Sequence, residues 1–129
     1  MKSDNKKNKI KSLSPNVGDF TVSLKYDRRL YKQDILGSKA HISMLAKQNI
    51  VDAQDALIIS KALDDILHEI ENDEFPWDTS LEDIHMNIES RLFEKIGNIA
   101  GKLHTARSRN DQIALDIRMY LMQATKITI

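Results

Sequence analysis

The chain has 129 residues, is 41% hydrophobic but only 5% aromatic, and carries 19 basic side chains, 19 acidic side chains and no cysteine. That length and apolar content suffice for one domain with a core, while the lack of cysteine excludes a disulfide framework and a thiolate metal site. The zero formal charge hides a skew, because residues 1–11 hold five lysines and one aspartate, a net +4 that the remainder offsets with −4.

From Met1 to about Gly18 the chain is polar, with Pro15 and Gly18 as breakers, and residues 1–19 read as a flexible Lys-rich tail. A lysine run without interleaved aromatics or a basic helix gives no ground for a nucleic-acid site. No apolar run reaches the roughly 18 residues that span a bilayer, and the lysine-rich start lacks the apolar centre of a secretion signal, so no membrane role is expected and the cytoplasm is the expected location.

Helical spacing then begins. Ile35, Leu36, Met44 and Leu45 form an imperfect stripe over 32–48, interrupted at Gly37 and Ser38, where a bend or a close approach is expected. Val51 and Asp52 supply a staple-like apolar residue and an N-cap for the clearest helix, with Ala56, Ile59, Leu63, Ile66 and Ile70 at three- and four-residue steps. Phe75, Pro76, Trp77 and Asp78 break the pattern. Ser80 and Asp83 read as a capping box for a further helix on Ile84, Ile88, Leu92 and Ile96, ending at Gly97. No strand-period run and no internal repeat occurs, so the expected fold is mainly α.

The stretch Gly101 to Asp116, GKLHTARSRNDQIALD, concentrates hydrogen-bond donors in His104, Thr105, Arg107, Ser108, Arg109 and Asn110. The apolar residues that follow, Ile113, Ala114, Ile117, Tyr120, Leu121 and Ala124, recur at helical spacing and put this polar run at a helix N-terminus. Two readings compete. Ser108 and Asp111 match a capping box, which needs no ligand; two arginines flanking a serine beside a helix N-terminus match a site for a carboxylate or phosphate.

His85 and Glu89, four apart on one helix, suggest an acid–base pair or two metal ligands, but with no third ligand nearby in sequence a structural role is favoured, hydrogen bonding at the site is the alternative, and no metal is expected. His41 and His68 read as surface or packing residues, and His104 as a residue that positions the loop beside it. No phosphate loop, nucleophile elbow or cofactor motif is present.

The run HTARSRNDQIALDIRMYL, His104 to Leu121, resembles the first signature block of the argininosuccinate lyases, members of the fumarase and aspartase superfamily. YDRRLYKQDILGSKAHISMLAKQNIV, Tyr26 to Val51, and EDIHMNIESRLFEKIGNIAGKL, Glu82 to Leu103, are similar to the same family in order and spacing, so that the likeness runs from about Phe20 onward. The resemblance implies an amino-terminal helical lyase domain over 20–108, leading into the first long helix of a central helical bundle at 109–129. It implies reversible elimination of fumarate from argininosuccinate to give arginine, without cofactor or metal, in a homotetramer whose sites each draw on three subunits.

By the same resemblance Ser23 and Asn110 match substrate-contacting residues. Arg109, between Ser108 and Asn110, is the natural carboxylate partner, with Thr105, Ser108 and His85 as possible supporting donors. No catalytic residue is expected in this chain, because the family's two later signature blocks are absent, and with no C-cap after the last helical run the chain reads as a fragment, inactive alone. The apolar stripe Ile113, Ile117, Tyr120 and Leu121 would then lack a bundle and cause self-association.

Ala106 stands where the family usually has glycine, so a positive φ there would strain the loop, and the family's amino-terminal Trp-Gly-Gly-Arg-Phe motif has no counterpart. Two other classes stay open: a catalytically silent relative of the kind that serves as a lens crystallin, and a short helical interaction module whose lysine tail binds acidic partners.

Overall fold

The computed structural model describes residues 23–128, and the expected Lys-rich tail lies outside them. A short helix α1 (Leu24–Asp27) runs through a 3₁₀ turn (Arg28–Leu30) into α2 (Tyr31–Lys47); α3 (Ala53–Glu71), α4 (Ile84–Ile96), a 3₁₀ segment (Gly97–His104) and α5 (Arg109–Thr128) follow. Among the described residues there is no strand, and no helix is long and apolar enough to cross a membrane.

The order of packing follows from which faces are apolar. α2 lies between α3 and α5, and α4 packs on α3 and on the 3₁₀ segment. Ile59, Leu63 and Ile66 of α3 meet Ile35, Ile42 and Leu45 of α2 and Ile84, Ile88 and Leu92 of α4 in one buried cluster. Burying side chains of this size contributes roughly 1.5–3 kcal/mol each, enough to set the helix order. Of the stripe expected on α2, Ile35 and Leu45 are buried, whereas Leu36 and Met44 are 60% and 41% exposed. The inward face instead follows Asp34, Ser38, Ile42 and Leu45, at three- and four-residue steps, so polar residues occupy its first turns.

Helix ends follow local chemistry. Asp52 caps α3 by accepting from the Gln54 N–H at 2.8 Å, and Val51 before it is buried, as expected. Asn49 and Asp73 take positive φ just past α2 and α3, a conformation short polar side chains tolerate. Gly97 ends α4 with φ +67°. The expected Ser80–Asp83 box does not form: Asp83 alone caps α4, accepting from the Met86 N–H at 2.7 Å, while Ser80 donates from both its N–H and its hydroxyl to Asp78 Oδ1. A bend at 81–83 separates the two residues, so the helix starts only at Ile84.

No bend interrupts α2 at Gly37. The glycine instead admits α5, for a Cβ there would lie 3.3 Å from Leu115 Cδ2 and 3.7 Å from Asp116 Oδ1. α5 therefore enters the fold by a polar face. Its buried residues are Gln112 and Asp116, while Ile117, Leu121 and Met122 of the apolar stripe and its neighbours are 45%, 56% and 56% exposed.

Candidate active site

The α2–α5 seam is held by hydrogen bonds among polar side chains. Gln112 Nε2 donates to Asp34 Oδ1 at 2.6 Å, and His85 Nδ1 lies 2.9 Å from the same oxygen. Asp116 Oδ2 is 3.4 Å from that nitrogen and has no hydrogen-bond partner. All four side chains are buried. Burial works to raise the Asp34 carboxyl, but the hydrogen bond and charge of His85, with the Gln112 amide, outweigh it and hold Asp34 below its ordinary value. Asp116 goes the other way: burial, then the neighbouring Asp34 charge, push it up to about 8, so it is a neutral acid at pH 7.

Above this seam the loop from Thr105 to Ser108 delivers two arginines. Its path is held by His41, whose Nε2 lies 2.7 Å from the Thr105 carbonyl, and by Ala106 at φ +55°. His41 thus does the positioning that the sequence assigned to His104, which is exposed and whose side chain makes no hydrogen bond among the described residues. An L-residue at positive φ carries roughly 1 kcal/mol of strain. Ala106→Gly is accordingly expected to raise unfolding stability by up to about 1 kcal/mol in a urea titration, the gain being reduced by glycine's freedom in the unfolded chain. A midpoint lowered by the full cost of glycine's added freedom in the unfolded chain would show that the loop carries no such strain.

The Ser108–Asp111 box forms in full. The Ser108 N–H donates to Asp111 Oδ2 at 3.0 Å, its hydroxyl donates to the same oxygen at 2.9 Å, and the Asp111 N–H approaches Ser108 Oγ at 3.3 Å. The Ser108 backbone N–H and then its hydroxyl keep the Asp111 carboxyl below its usual value. Ser108 is therefore committed to the helix end, the structural half of the two readings.

The arginines divide. Arg107 turns inward, donating from Nη1 to Ser38 Oγ at 3.0 Å, with its Nε buried and unpartnered. Burial pulls its guanidinium down from its ordinary value, opposed by the nearby charge of Asp34. Arg109, the first residue of α5, stays at the rim and donates to Glu89 Oε2 at 2.7 Å and to Gln112 Oε1 at 3.0 Å. Between them opens a cleft lined by Asp34, Ser38, His85, Ile88, Glu89, Leu92, Ala100, Leu103, His104, Arg107, Arg109 and Gln112.

Of the residues singled out from sequence, the structure brings Arg109 and His85 to this cleft. Asn110 is exposed beside Arg109, and Thr105 is half-buried with its carbonyl engaged. Ser23 is elsewhere: at the start of α1 its hydroxyl donates to Asp27 Oδ2 at 2.5 Å, its N–H donates to the Glu82 carbonyl at 2.8 Å, and it does not line the cleft. His85 pairs with Asp34 and lies near Asp116, not with Glu89, and the latter pairs with Arg109. Two acidic partners that are remote in sequence thus stand where none was expected.

Asp34, His85 and Asp116 place ligand atoms within 4.8 Å of one another, the spacing a metal ion would need. The Gln112 amide donates to Asp34 Oδ1, and the charge of Arg107, which itself donates to Ser38, lies close by. Asp34, Gln112 and Asp116 were missed in the sequence because they are polar; the available signal was their place at the inward i, i+4 positions of α2 and α5, in register with Ser38 and with each other.

Comparison with known proteins fits this picture. An argininosuccinate lyase of Lawsonia intracellularis is 54% identical over 111 residues, 86% of this chain and 24% of the relative. Those of Syntrophotalea carbinolica and Citrifermentans bemidjiense are 55% identical over 110 residues and 58% over 105, covering 85% and 81% of this chain and 24% and 23% of theirs. The chain thus spans about a quarter of the length of the curated relatives it matches. A family model described as lyase matches residues 9–129, nearly the whole sequence and every residue of the cleft, and the chain belongs to that lyase family.

Proposed function

We propose that these residues form the substrate-holding, amino-terminal part of an argininosuccinate lyase, which eliminates fumarate from argininosuccinate to give arginine. The observation that carries the reading is the placement of Arg109 on the first turn of the 20-residue α5, across a cleft from His85 and backed by the half-buried Arg107. A planar guanidinium fork, a second fixed cation and the positive end of a long helix suit a carboxylate that gains charge as the proton beside it leaves. Glu89 now occupies the fork at 2.7 Å and is 41% exposed, so a ligand carboxylate can displace it into water.

In this reading Arg109 and Asn110 contact substrate, His85 and Thr105 support it, and Ser108 holds the helix end from which Arg109 projects. Base and acid come from residues outside this sequence, which is why the chain alone is expected to be inactive. Ser23, at a different edge of the fold, contributes to a site completed by another subunit of a homotetramer, and the division at residue 108 marks where the helical domain passes into the bundle helix. The location is the cytoplasm.

The test is genetic. A chimera with residues 20–129 of this chain in place of the matching segment of the Lawsonia intracellularis lyase should let a bacterium lacking its own argininosuccinate lyase grow without arginine. A soluble, folded chimera that fails to do so contradicts the proposal.

The exposed apolar residues of α5 make the oligomer testable on the chain itself. With Leu115, Ile117, Leu121 and Met122 all at least 45% exposed, sedimentation of the 129-residue chain is expected to show concentration-dependent self-association. A monomer at every concentration would count against a bundle role for α5.

A further inference from the structure

The cleft offers a ligand the donors of Arg109 on one side and the His85 ring on the other, and a histidine can meet a ligand either as donor or as acceptor. We propose that Asp34 is a positioning residue that fixes the ring proton of His85 on Nδ1, so that Nε2 meets the ligand as a hydrogen-bond acceptor. The inference rests on the reading of this cleft as the substrate site and adds a basis for its specificity.

The shortest contact of Nδ1 determines the tautomer. His85 Nδ1 lies 2.9 Å from Asp34 Oδ1, and the same oxygen receives the Gln112 amide at 2.6 Å, so Oδ1 acts as an acceptor toward both. Asp116 Oδ2 at 3.4 Å and the Gln112 amide nitrogen at 3.5 Å are both farther from Nδ1 than Asp34 Oδ1 is. A lone pair on Nδ1 would face the lone pairs of Asp34 across a buried, low-dielectric gap, whereas an N–H there donates to it. Asp34 Oδ1 already accepts the Gln112 amide, so the oxygen facing Nδ1 carries no proton of its own to give. Nε2 makes no hydrogen bond among the described residues.

The consequence is a cleft that pairs carboxylate-binding donors with one acceptor. It suits a ligand that carries an N–H close to a carboxylate, as the guanidino-substituted carbon of argininosuccinate does, and discriminates against a plain dicarboxylate, which would leave Nε2 facing oxygen lone pairs. The logic is that of the buried aspartate that orients the histidine of a hydrolytic triad, where loss of the carboxylate gives the wrong tautomer.

The experiment is nuclear magnetic resonance of the chain labelled with nitrogen-15 in histidine, the His85 signals being assigned by their loss in His85→Gln. At neutral pH the long-range proton–nitrogen pattern should place the proton on Nδ1; Asp34→Ala should move it toward Nε2, and Asp116→Asn should leave it where it is. A proton on Nε2 in the unsubstituted chain overturns the proposal, and so does an unchanged pattern in Asp34→Ala. Should Asp34→Ala not fold, the unsubstituted spectrum still decides. The reading of the cleft fails separately: His85→Gln in the full-length chimera is expected to raise KM for argininosuccinate about tenfold, and an unchanged KM together with a proton on Nδ1 would reject the site while leaving the tautomer intact.

Discussion

Arg109→Ala in the full-length chimera is expected to lower kcat/KM for argininosuccinate by about two to three orders of magnitude, the size of effect seen when a group aimed at developing oxyanion charge is removed. Arg109 meets a buried side chain through its hydrogen bond to Gln112 Oε1. Its partners are the partly exposed Glu89 and the amide oxygen of Gln112, and an exposed ion pair of this kind is worth roughly 0–1 kcal/mol. The loss should therefore appear chiefly in kinetics, with a cost in unfolding of no more than about 1–3 kcal/mol from the Gln112 oxygen left without its donor. Arg109→Lys should recover little, because an ammonium cannot reproduce the two parallel hydrogen bonds of the guanidinium fork. A variant within threefold of the parent would remove Arg109 from the site, and a variant that loses activity together with its fold would make its role structural.

The second large effect concerns pH. Asp116 has its folded value raised to about 8 from an ordinary 3.8, so between these limits the unfolded chain has released a proton that the folded chain retains. Its contribution to stability is complete below about pH 4 and is lost as the pH rises toward 8, at up to about 1.4 kcal/mol per pH unit. Asp34, held below its ordinary 3.8, acts in the opposite sense, favouring the fold above that pH and losing its contribution as the pH falls further. Asp116→Asn keeps the shape and neutrality of the acid and removes the first dependence. Its urea unfolding free energy should gain on that of the parent steadily from pH 5 to pH 8; parallel curves would mean that Asp116 is already ionised in the fold.

Both effects arise in the part of the molecule that the sequence showed least clearly. Helix α3 was legible because its inward positions are all aliphatic, from Ala56 to Ile66, and because Asp52 caps it by a local rule; α4 was legible from the stripe Ile84, Ile88 and Leu92, although Asp83 and not Ser80 caps it and His85 and Asn87 share its inward face. The Ser108–Asp111 box and the strained Ala106 were legible for the same reason: each depends on neighbours within a few residues. The faces of α2 and α5 were not. Their apolar residues partly point outward, as Leu36 and Leu121 do, while Asp34, Gln112 and Asp116 are buried against one another across 78 or more positions of sequence. Periodicity of hydrophobic residues cannot show a seam made of hydrogen bonds, because its partners are chosen by tertiary approach, here the approach that Gly37 permits.

The division of labour between the arginines was hidden in the same way. Arg107 and Arg109 are equivalent as letters flanking Ser108. The capping box fixes where α5 begins and therefore which of them projects from its first turn and which folds under the loop onto Ser38. Ser23 shows the reverse case, since resemblance brought it forward and the structure places it apart from the cleft, engaged with Asp27 and Glu82.

The central claim is that the rim of α5 holds the substrate's carboxylate, and argininosuccinate binding tests it most directly. Equilibrium dialysis of the full-length chimera, with the proton-abstracting base that lies outside this sequence substituted so that no turnover occurs, should show argininosuccinate bound at least tenfold more weakly after Arg109→Ala. Equal binding by the parent and by Arg109→Ala would contradict it.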